Sequence, residues 1–271
     1  MPAKIEEGVD VLQVQAIHKS FGPKKVLDGV GLRLRAGESL AILGRSGTGK
    51  SVLLKIITGL LKPDLGHVAL WGQRTDDFGE DDWVPLRRRL GMVFQSGALF
   101  DSMNVFDNVA FPLRERKMHS EREIGDIVEE RLGWVSLSGA GPLAPSELSG
   151  GMRRRVAVAR TLAADPEFIL YDEPTAGLDP ITGRKIAHLM RDLDRKLNST
   201  SVVVTHDIEC ARIVSSRWLY LARGQVLADG SPDEFFASSQ EEVRDFLLAD
   251  ERAQKLPLST TPPADLSARE P

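Results

Sequence analysis

Residues 44–51 constrain the fold of this chain more than any other stretch. They read Gly-Arg-Ser-Gly-Thr-Gly-Lys-Ser and fit the phosphate-binding pattern G-x-x-x-x-G-K-[ST] at every constrained position. Residues 38–43 before them are typical of a short buried strand, and residues 52–57 after them are typical of a helix. Glycines let a loop curl until successive N–H groups face one polyphosphate, and the helix N-terminus adds partial positive charge. The sequence therefore predicts a nucleotide phosphate site where a strand leads into a helix.

Two side chains at the end of this loop have predicted roles in phosphate chemistry. Lys50 is expected to reach the β- and γ-phosphates, and Ser51 is expected to offer its hydroxyl to Mg²⁺. Because the same pattern also occurs in kinases and GTPases, it does not decide the class of nucleotide-binding protein. The residues expected to hold the phosphates are Gly44, Arg45, Ser46, Gly47, Thr48, Gly49, Lys50 and Ser51.

Three later apolar runs, each typical of a buried strand, end in groups suited to phosphate hydrolysis. Gln95 follows the first run, Asp172 and Glu173 follow the second, and His206 follows the third. Open parallel sheets bind ligands at the carboxyl ends of their strands, so we expect these groups to meet the phosphate loop. Asp172 would hold Mg²⁺ through a water, and Gln95 would face the Mg²⁺ or the attacking water. Glu173 would be the general base for that water, and His206 would orient both.

Residues 96–160 have a helical pattern, which predicts an insert in the sheet domain. Within it Ser149 is a predicted helix N-cap, and Gly150 and Gly151 leave the following N–H groups uncovered, which makes a second anion site. A nucleotide held by the phosphate loop leaves only one side of its phosphates exposed to a second binding segment. A two-fold pair of chains, in which each Ser149 segment covers the γ-phosphate held by its partner, would use both sites, and Asp179 would lie near the interface.

Composition narrows the class of protein and its location. The 35 Lys and Arg against 39 Asp and Glu give a net charge of −4, which argues against a nucleic-acid binder. Cys210 is the only cysteine, which fits a reducing compartment and a small buried side chain. The N-terminus has no secretory apolar region, and no apolar run approaches the length of a membrane span, so we expect any membrane role to come through a partner.

Several other segments carry predictions of local structure. Strands are expected at 11–17 and 30–35, and between them Phe21 either stacks on an adenine ring or packs in the core. The acidic stretch 76–82 is expected to be a solvated loop. The arginine runs 87–89 and 153–155 are expected to be solvated or salt-bridged helix faces.

Taken together, the motifs resemble those of ATP-binding-cassette (ABC) ATPases. The resemblance implies an α/β P-loop NTPase of the ABC type, with a mainly parallel sheet core, an N-terminal antiparallel β subdomain and a helical insert. It implies ATP and Mg²⁺ as cofactors and a homodimer of ATPase subunits. Residues 1–249 would form the nucleotide-binding domain and 250–271 a C-terminal tail. The matching motifs are Walker A at 44–51, the Q-loop at Gln95, the signature at 148–152, Walker B through Glu173, the D-loop at 176–179 and the switch histidine His206.

A narrower resemblance is carried by residues 94–100 and 103–109 and by Met152, which replaces the commoner glutamine of the signature. These residues resemble the ATPases of Mla/Mce-type lipid transporters. The implied function is the motor of a phospholipid transporter at the cytoplasmic face of the inner (plasma) membrane. The implied partners are an MlaE-type permease, an MCE lipid-binding protein and a STAS-domain subunit.

Two other functions stay open beside the lipid transporter. Only the stretch 95–109 argues against import of a polar solute such as an amino acid. ABC ATPases of DNA repair or translation are opposed by the single set of motifs and by the lack of a heptad run.

Two segments could contact neighbouring subunits. Some of the apolar residues at the insert should form a groove for a cytoplasmic permease helix, unless they pack in the core. A final amphipathic helix is expected at 242–248, after which the proline-bearing tail 250–271 is either disordered or extends across the neighbouring ATPase subunit, as in some Mla-type ATPases. The residues considered for the groove are Phe100, Met103, Phe106 and Phe111.

Overall fold

The computed structural model describes residues 9–255, with side chains as far as 249. Near the N-terminus an antiparallel sheet has the strand order β2-β1-β4-β5. Residues with the β-branched and aliphatic side chains that favour strands alternate along β1 and β2, so that one face of this sheet is buried. Its strands are β1 (Asp10–Phe21), β2 (Lys24–Arg35), β4 (Leu65–Leu70) and β5 (Gln73–Arg74).

The second sheet has six strands in the order β10-β9-β3-β8-β7-β6, and every pair is parallel except β10 with β9. The central strands β3 and β8 are almost entirely buried, as expected for a parallel sheet covered on both faces. This sheet is made of β3 (Ser39–Leu43), β6 (Leu90–Val93), β7 (Phe168–Asp172), β8 (Thr200–Thr205), β9 (Arg217–Ala222) and β10 (Gln225–Gly230).

Helices cover the parallel sheet and form the predicted insert. Among residues 9–255, every helix falls short of the length and apolarity that crossing a membrane requires. The helices are α1 (Lys50–Ile57), α2 (Glu80–Arg87), α3 (Val105–Arg116), α4 (Glu121–Trp134), α5 (Gly150–Ala163), α6 (Pro180–Leu197), α7 (Ile208–Val214), α8 (Pro232–Phe236) and α9 (Glu241–Lys255), with a 3₁₀ turn at Pro145–Glu147.

Three clusters of buried apolar side chains hold these layers together. The first lies between the two sheets and contains Leu12 of β1 and Ile42 of β3. The second joins the insert helices to β7 and α6, where Val109 and Tyr171 are buried. The third packs α7, α8 and α9 on β9, around Trp218. The parallel sheet with its antiparallel subdomain and helical insert is the predicted fold, and it places the ends of β3, β6, β7 and β8 at one edge.

The solvated loop predicted for 76–82 is wrong in its second half, because Glu80 already begins α2. The acidic residues stabilise that start, since negative charge is favourable at a helix N-terminus. The carboxylate of Asp82 also accepts a hydrogen bond from the N–H of Gly79 at 2.9 Å. Two of the neighbouring arginines are salt-bridged as predicted, Arg87 to Glu80 at 2.7 Å and Arg89 to Glu167 at 2.6 Å. The predicted helix face is wrong for Arg89, because α2 ends at Arg87.

At the other end of the chain the predicted final helix is present as α9, and it continues beyond the predicted 242–248 to Lys255. The prediction about the rest of the tail falls on 256–271, which lie outside the described residues. Cys210 lies on α7 with a side chain that is only 1% exposed, and this burial raises the pKa of its thiol.

Candidate active site

The phosphate loop joins β3 to α1, and its glycines are required by the backbone at two positions. A Cβ on Gly44 would overlap the carbonyl oxygen of Leu221 on the neighbouring strand β9. Gly49 has a φ of +104°, and a Cβ there would lie 2.8 Å from Leu27 Cδ2. The turn can therefore close tightly against β9 and β2 only without these side chains, which leaves the N–H groups at the start of α1 available to phosphate.

Lys50 lies at the N-terminus of α1 with its ammonium group folded back over the loop. Its Nζ donates to the carbonyl oxygens of Gly44 at 2.7 Å and Arg45 at 3.1 Å, and lies 3.5 Å from Glu173 Oε1. The side chain is 6% exposed, and this burial lowers the pKa of Lys50 against the opposing attraction of Glu173. The structure thus brings together the loop lysine and the Walker B glutamate, as the sequence predicted.

Oxygen donors suited to Mg²⁺ meet beside the lysine. Ser51 Oγ donates to Asp172 Oδ1 at 3.2 Å, and burial raises the pKa of Asp172, so a cation there would stabilise its ionised form. Gln95 lines the same cavity as Asp172. In residues 9–255 no three His, Cys, Asp or Glu side chains cluster as metal ligands. This small set of oxygens fits Mg²⁺, which keeps waters and takes its other ligands from substrate phosphates.

Glu173 and His206 face each other across the ends of β7 and β8. His206 Nδ1 lies 2.8 Å from Glu173 Oε2, and the peptide N–H of Glu173 donates to Val204 O at 2.8 Å. Burial opposes ionisation of Glu173, but the His206 hydrogen bond and the charges of His206 and Lys50 outweigh it, so its pKa is lowered. The hydrogen bond to Glu173 raises the pKa of His206. Glu173 is therefore an ionised base beside the phosphate loop, with a φ of +46° that is unusual for a glutamate.

The predicted second anion site has the geometry of a capped helix start. Ser149 is the N-cap of α5, where its Oγ accepts the N–H of Met152 at 3.2 Å. A Cβ on Gly151 would lie 2.7 Å from Thr182 Cγ2, so the start of α5 packs closely on α6. Asp179 caps α6 by accepting the N–H of Thr182 at 3.0 Å. The signature and the D-loop are thus neighbours within one chain.

Phe21 is 50% exposed at the end of β1, which removes the core-packing alternative for it. Lys19 Nζ lies 5.7 Å from the centre of its ring. An exposed aromatic face is what stacking on a base requires, and this role stays a prediction.

Sequence reasoning missed a hydrogen bond between Thr175, just before the D-loop, and Asp207, the residue after the switch histidine. Thr175 Oγ1 donates to Asp207 Oδ2 at 2.8 Å, and Asp207 also caps α7 by accepting the N–H of Cys210 at 2.9 Å. A signal was present, because an aspartate directly before an apolar helical segment is a common N-cap. This hydrogen bond ties Asp207, which follows His206, to Thr175, which lies two residues after Glu173.

The prediction of a solvated or salt-bridged face for 153–155 is wrong for Arg154. Arg153 is exposed, but Arg154 is only 5% exposed. Its guanidinium donates to the main-chain carbonyls of Phe94 at 2.7 Å and Ala176 at 3.4 Å rather than to a carboxylate. The helical periodicity of α5 buries this position, and three consecutive arginines in a sequence do not show which of them turns inward.

A family model described as "ABC transporter" matches residues 27–176. The intermembrane phospholipid transport system ATP-binding protein MlaF of Escherichia coli is 41% identical over 239 residues, which are 88% of each chain. The methionine import ATP-binding protein MetN of Mesorhizobium japonicum is 38% identical over 268 residues, covering 98% of this chain and 71% of MetN.

Two further matches concern length and assembly. The probable ribonucleotide transport ATP-binding protein mkl of Mycobacterium tuberculosis is 41% identical over 236 residues. The match covers 87% of this chain but only 66% of the length of mkl. Among solved structures, the dimeric post-hydrolysis state of the ATP-binding cassette MJ0796 bound to ADP and Pi is 36% identical with a TM-score of 0.75. That match covers 81% of this chain and 98% of the other.

Proposed function

The chain belongs to the ABC transporter family, and on this basis we propose that it is the ATP-hydrolysing motor of a transporter that moves phospholipids or related lipids between membranes. One observation carries the motor function: Lys50 and His206 both contact Glu173 beside the phosphate loop, at 3.5 and 2.8 Å. The lipid assignment is supported by the match to MlaF over 88% of both chains. It is also supported by the sequence of residues 94–109.

Hydrolysis of ATP can be assigned to the groups that meet at the phosphate loop. A water attacks the γ-phosphorus, the bond to the β–γ bridging oxygen breaks, and Glu173 takes the proton of the water. Lys50 neutralises charge on the phosphates, and His206 holds Glu173 in place through the hydrogen bond between Nδ1 and Oε2. Ser51, Asp172 and Gln95 would hold Mg²⁺, which supplies further positive charge to the phosphate oxygens when bound.

A homodimer is part of the proposal. In it, the start of α5 covers the γ-phosphate bound by the partner subunit, and Asp179 lies at the interface. Supporting this, Gly150 and Gly151 carry no side chains over the start of a 14-residue helix, and an isologous pair uses this helix start twice. The dimeric state of the similar cassette MJ0796 agrees with such a pair.

A groove beside the insert is the proposed docking site for the membrane permease. Phe100, 40% exposed, and Phe111 line it with ring centres 4.7 Å apart, whereas Phe106 packs on the core of the insert. The groove has a volume of ≈ 740 Å³, and Arg88 and Arg160 are among its basic lining residues. An amphipathic permease helix with acidic groups beside its apolar face would fit it.

The remaining parts of the proposal are the MCE lipid-binding protein, the STAS-domain subunit and the cytoplasmic face of the inner membrane. They rest on the Mla-type stretch and on the match to MlaF. Import of a polar solute is the second candidate, and the specific observation in its favour is the match to MetN over 98% of this chain.

Phe100→Asp tests the groove, and the molecules captured by the wild type test the substrate class. A charge in the groove should prevent copurification with membrane subunits and leave ATP hydrolysis by the isolated protein unchanged. Met118→Asp is the matched control, because Met118 is 73% exposed and lies outside the groove. Mass spectrometry of proteins and lipids captured by the wild type then separates the candidates: an MCE protein and phospholipid support the proposal, and a solute-binding protein without lipid supports import. Normal copurification of Phe100→Asp would place the docking surface elsewhere.

A further inference from the structure

The Q-loop is held by two arginines of α5. Arg160 donates to the carbonyl oxygens of Ala98 at 2.7 Å and Gly97 at 3.1 Å, and Arg154 donates to that of Phe94 at 2.7 Å. The carbonyl of Phe94 also accepts the N–H of Gly97 at 2.9 Å, which closes the turn around Gln95. The position of Gln95 therefore depends on a helix that begins at the signature.

Arg154 alone extends this connection to the D-loop. Its Nη2 lies 3.4 Å from Ala176 O, and the N–H of Ala176 in turn bonds to the carbonyl of Glu173 at 3.2 Å. The same guanidinium thus touches the residue before Gln95 and the turn directly after Glu173. These two segments line one cavity with Asp172.

The electrostatics of Arg154 are unusual for a structural arginine. Its side chain is 5% exposed, and among residues 9–249 no carboxylate forms an ion pair with it. Burying a cation against carbonyl dipoles alone is expensive, and an apolar side chain would fill an interior position at less cost. An arginine is required only if two carbonyls on separate segments must be held by one planar group with several donors.

We propose that Arg154 is a positioning residue that couples the signature helix to both the Q-loop and the D-loop, so that a shift at the start of α5 moves Gln95 and the turn after Glu173 together. This inference rests on the proposed ATPase function for its consequence in catalysis. The coupling itself is a property of three described segments and can be measured without turnover.

Hydrogen exchange of the full chain tests the coupling directly. In Arg154→Gln we expect about fivefold faster exchange in two segments, at the Gly97 amide and at the amides of Ala176 and Leu178, because each loop loses one hydrogen bond. Arg160→Gln should accelerate only Gly97, and Arg153→Gln, the exposed neighbour, should change neither. Should Arg154→Gln fail to fold, Arg154→Lys replaces it, since an ammonium cannot reach both carbonyls in the same geometry. Unchanged exchange at Ala176 and Leu178 in the folded variant would overturn the proposal.

The second readout is the Mg²⁺ dependence of ATP hydrolysis. Misplacing Gln95 should raise the Mg²⁺ concentration for half activation and lower kcat by about 10–100-fold, with the KM for ATP at saturating Mg²⁺ unchanged. In a Gln95→Ala background, Arg154→Gln should no longer move the Mg²⁺ dependence; a full further shift would show that Arg154 does not act through Gln95. If the wild type itself hydrolyses no ATP, the proposed function fails, and the exchange result still decides the coupling.

Discussion

Asp194 of α6 provides a quantitative test of the packing behind the active site. Its side chain is 5% exposed, and Oδ1 accepts hydrogen bonds from Tyr171 Oη and Ser199 Oγ, both at 3.1 Å. Oδ2 is buried without a hydrogen-bond partner in the described part of the chain. Tyr171 directly precedes Asp172, so this network lies behind the strand that ends in Asp172. The perturbation is Asp194→Asn, which keeps the acceptor and removes the titration.

The magnitude follows from the pKa of the carboxyl. Burial raises the pKa of Asp194 from 3.8 to about 6. At about 1.36 kcal/mol per pH unit this corresponds to roughly 3 kcal/mol. The folded state binds the proton more tightly than the unfolded state, so the free energy of unfolding falls as the pH rises from about 4 to about 6 and is constant above that. Asparagine does not titrate, so at this position it adds no pH dependence to the free energy of unfolding.

The assay is urea unfolding of the wild type and the variant at a series of pH values, followed by tryptophan fluorescence. The difference in unfolding free energy between wild type and variant should fall by about 2 kcal/mol between pH 4 and pH 7, since the rest of the change lies below pH 4. Asp192→Asn is the control on the same helix, because the side chain of Asp192 is 62% exposed. If the wild-type and Asp194→Asn curves run parallel across this range, the buried carboxyl does not titrate as inferred and the reasoning is wrong.

Three further predictions concern hydrolysis. Lys50→Ala should abolish ATP hydrolysis in a phosphate-release assay while circular dichroism shows the wild-type fold, because the ammonium supplies charge to the transferred phosphoryl group; hydrolysis at the wild-type rate would refute its assignment. Glu173→Gln should bind ATP, accumulate as a dimer in size-exclusion chromatography and lose about 10²–10⁴-fold in turnover, since an amide cannot take the proton. His206→Ala should also slow turnover, because its ring nitrogen lies 2.8 Å from Glu173 Oε2; an undiminished rate in either variant would mean that another residue does this work.

The groups that meet at the sheet edge were predictable because they follow from one rule. Asp172 ends a buried strand, Glu173 and His206 come directly after buried strands, and Lys50 follows the loop after β3; parallel strands end at one edge. The positions of these residues relative to the strands are enough to predict that they meet, and no knowledge of side-chain packing is needed.

Contacts made by the main chain were not predictable in this way. Arg154 bonds to two carbonyl oxygens, which every residue has, so nothing in the identities of Phe94 and Ala176 marks them as its partners. The exposure of Phe21 likewise depends on where β1 ends relative to the rest of the sheet. The start of α2 at Glu80 could have been found, because acidic residues behind a glycine are typical of a first helical turn.

The burial of Cys210 makes this chain convenient for spectroscopy. It is the only thiol in the sequence, and at 1% exposure with a raised pKa it should react slowly with maleimides and methanethiosulfonates. A cysteine introduced at Met118, which is 73% exposed, would therefore carry a spin label or fluorophore without any background substitution. In a two-fold pair the two labels would define a single distance between the subunits. That distance could be followed through the ATP cycle in the otherwise native sequence.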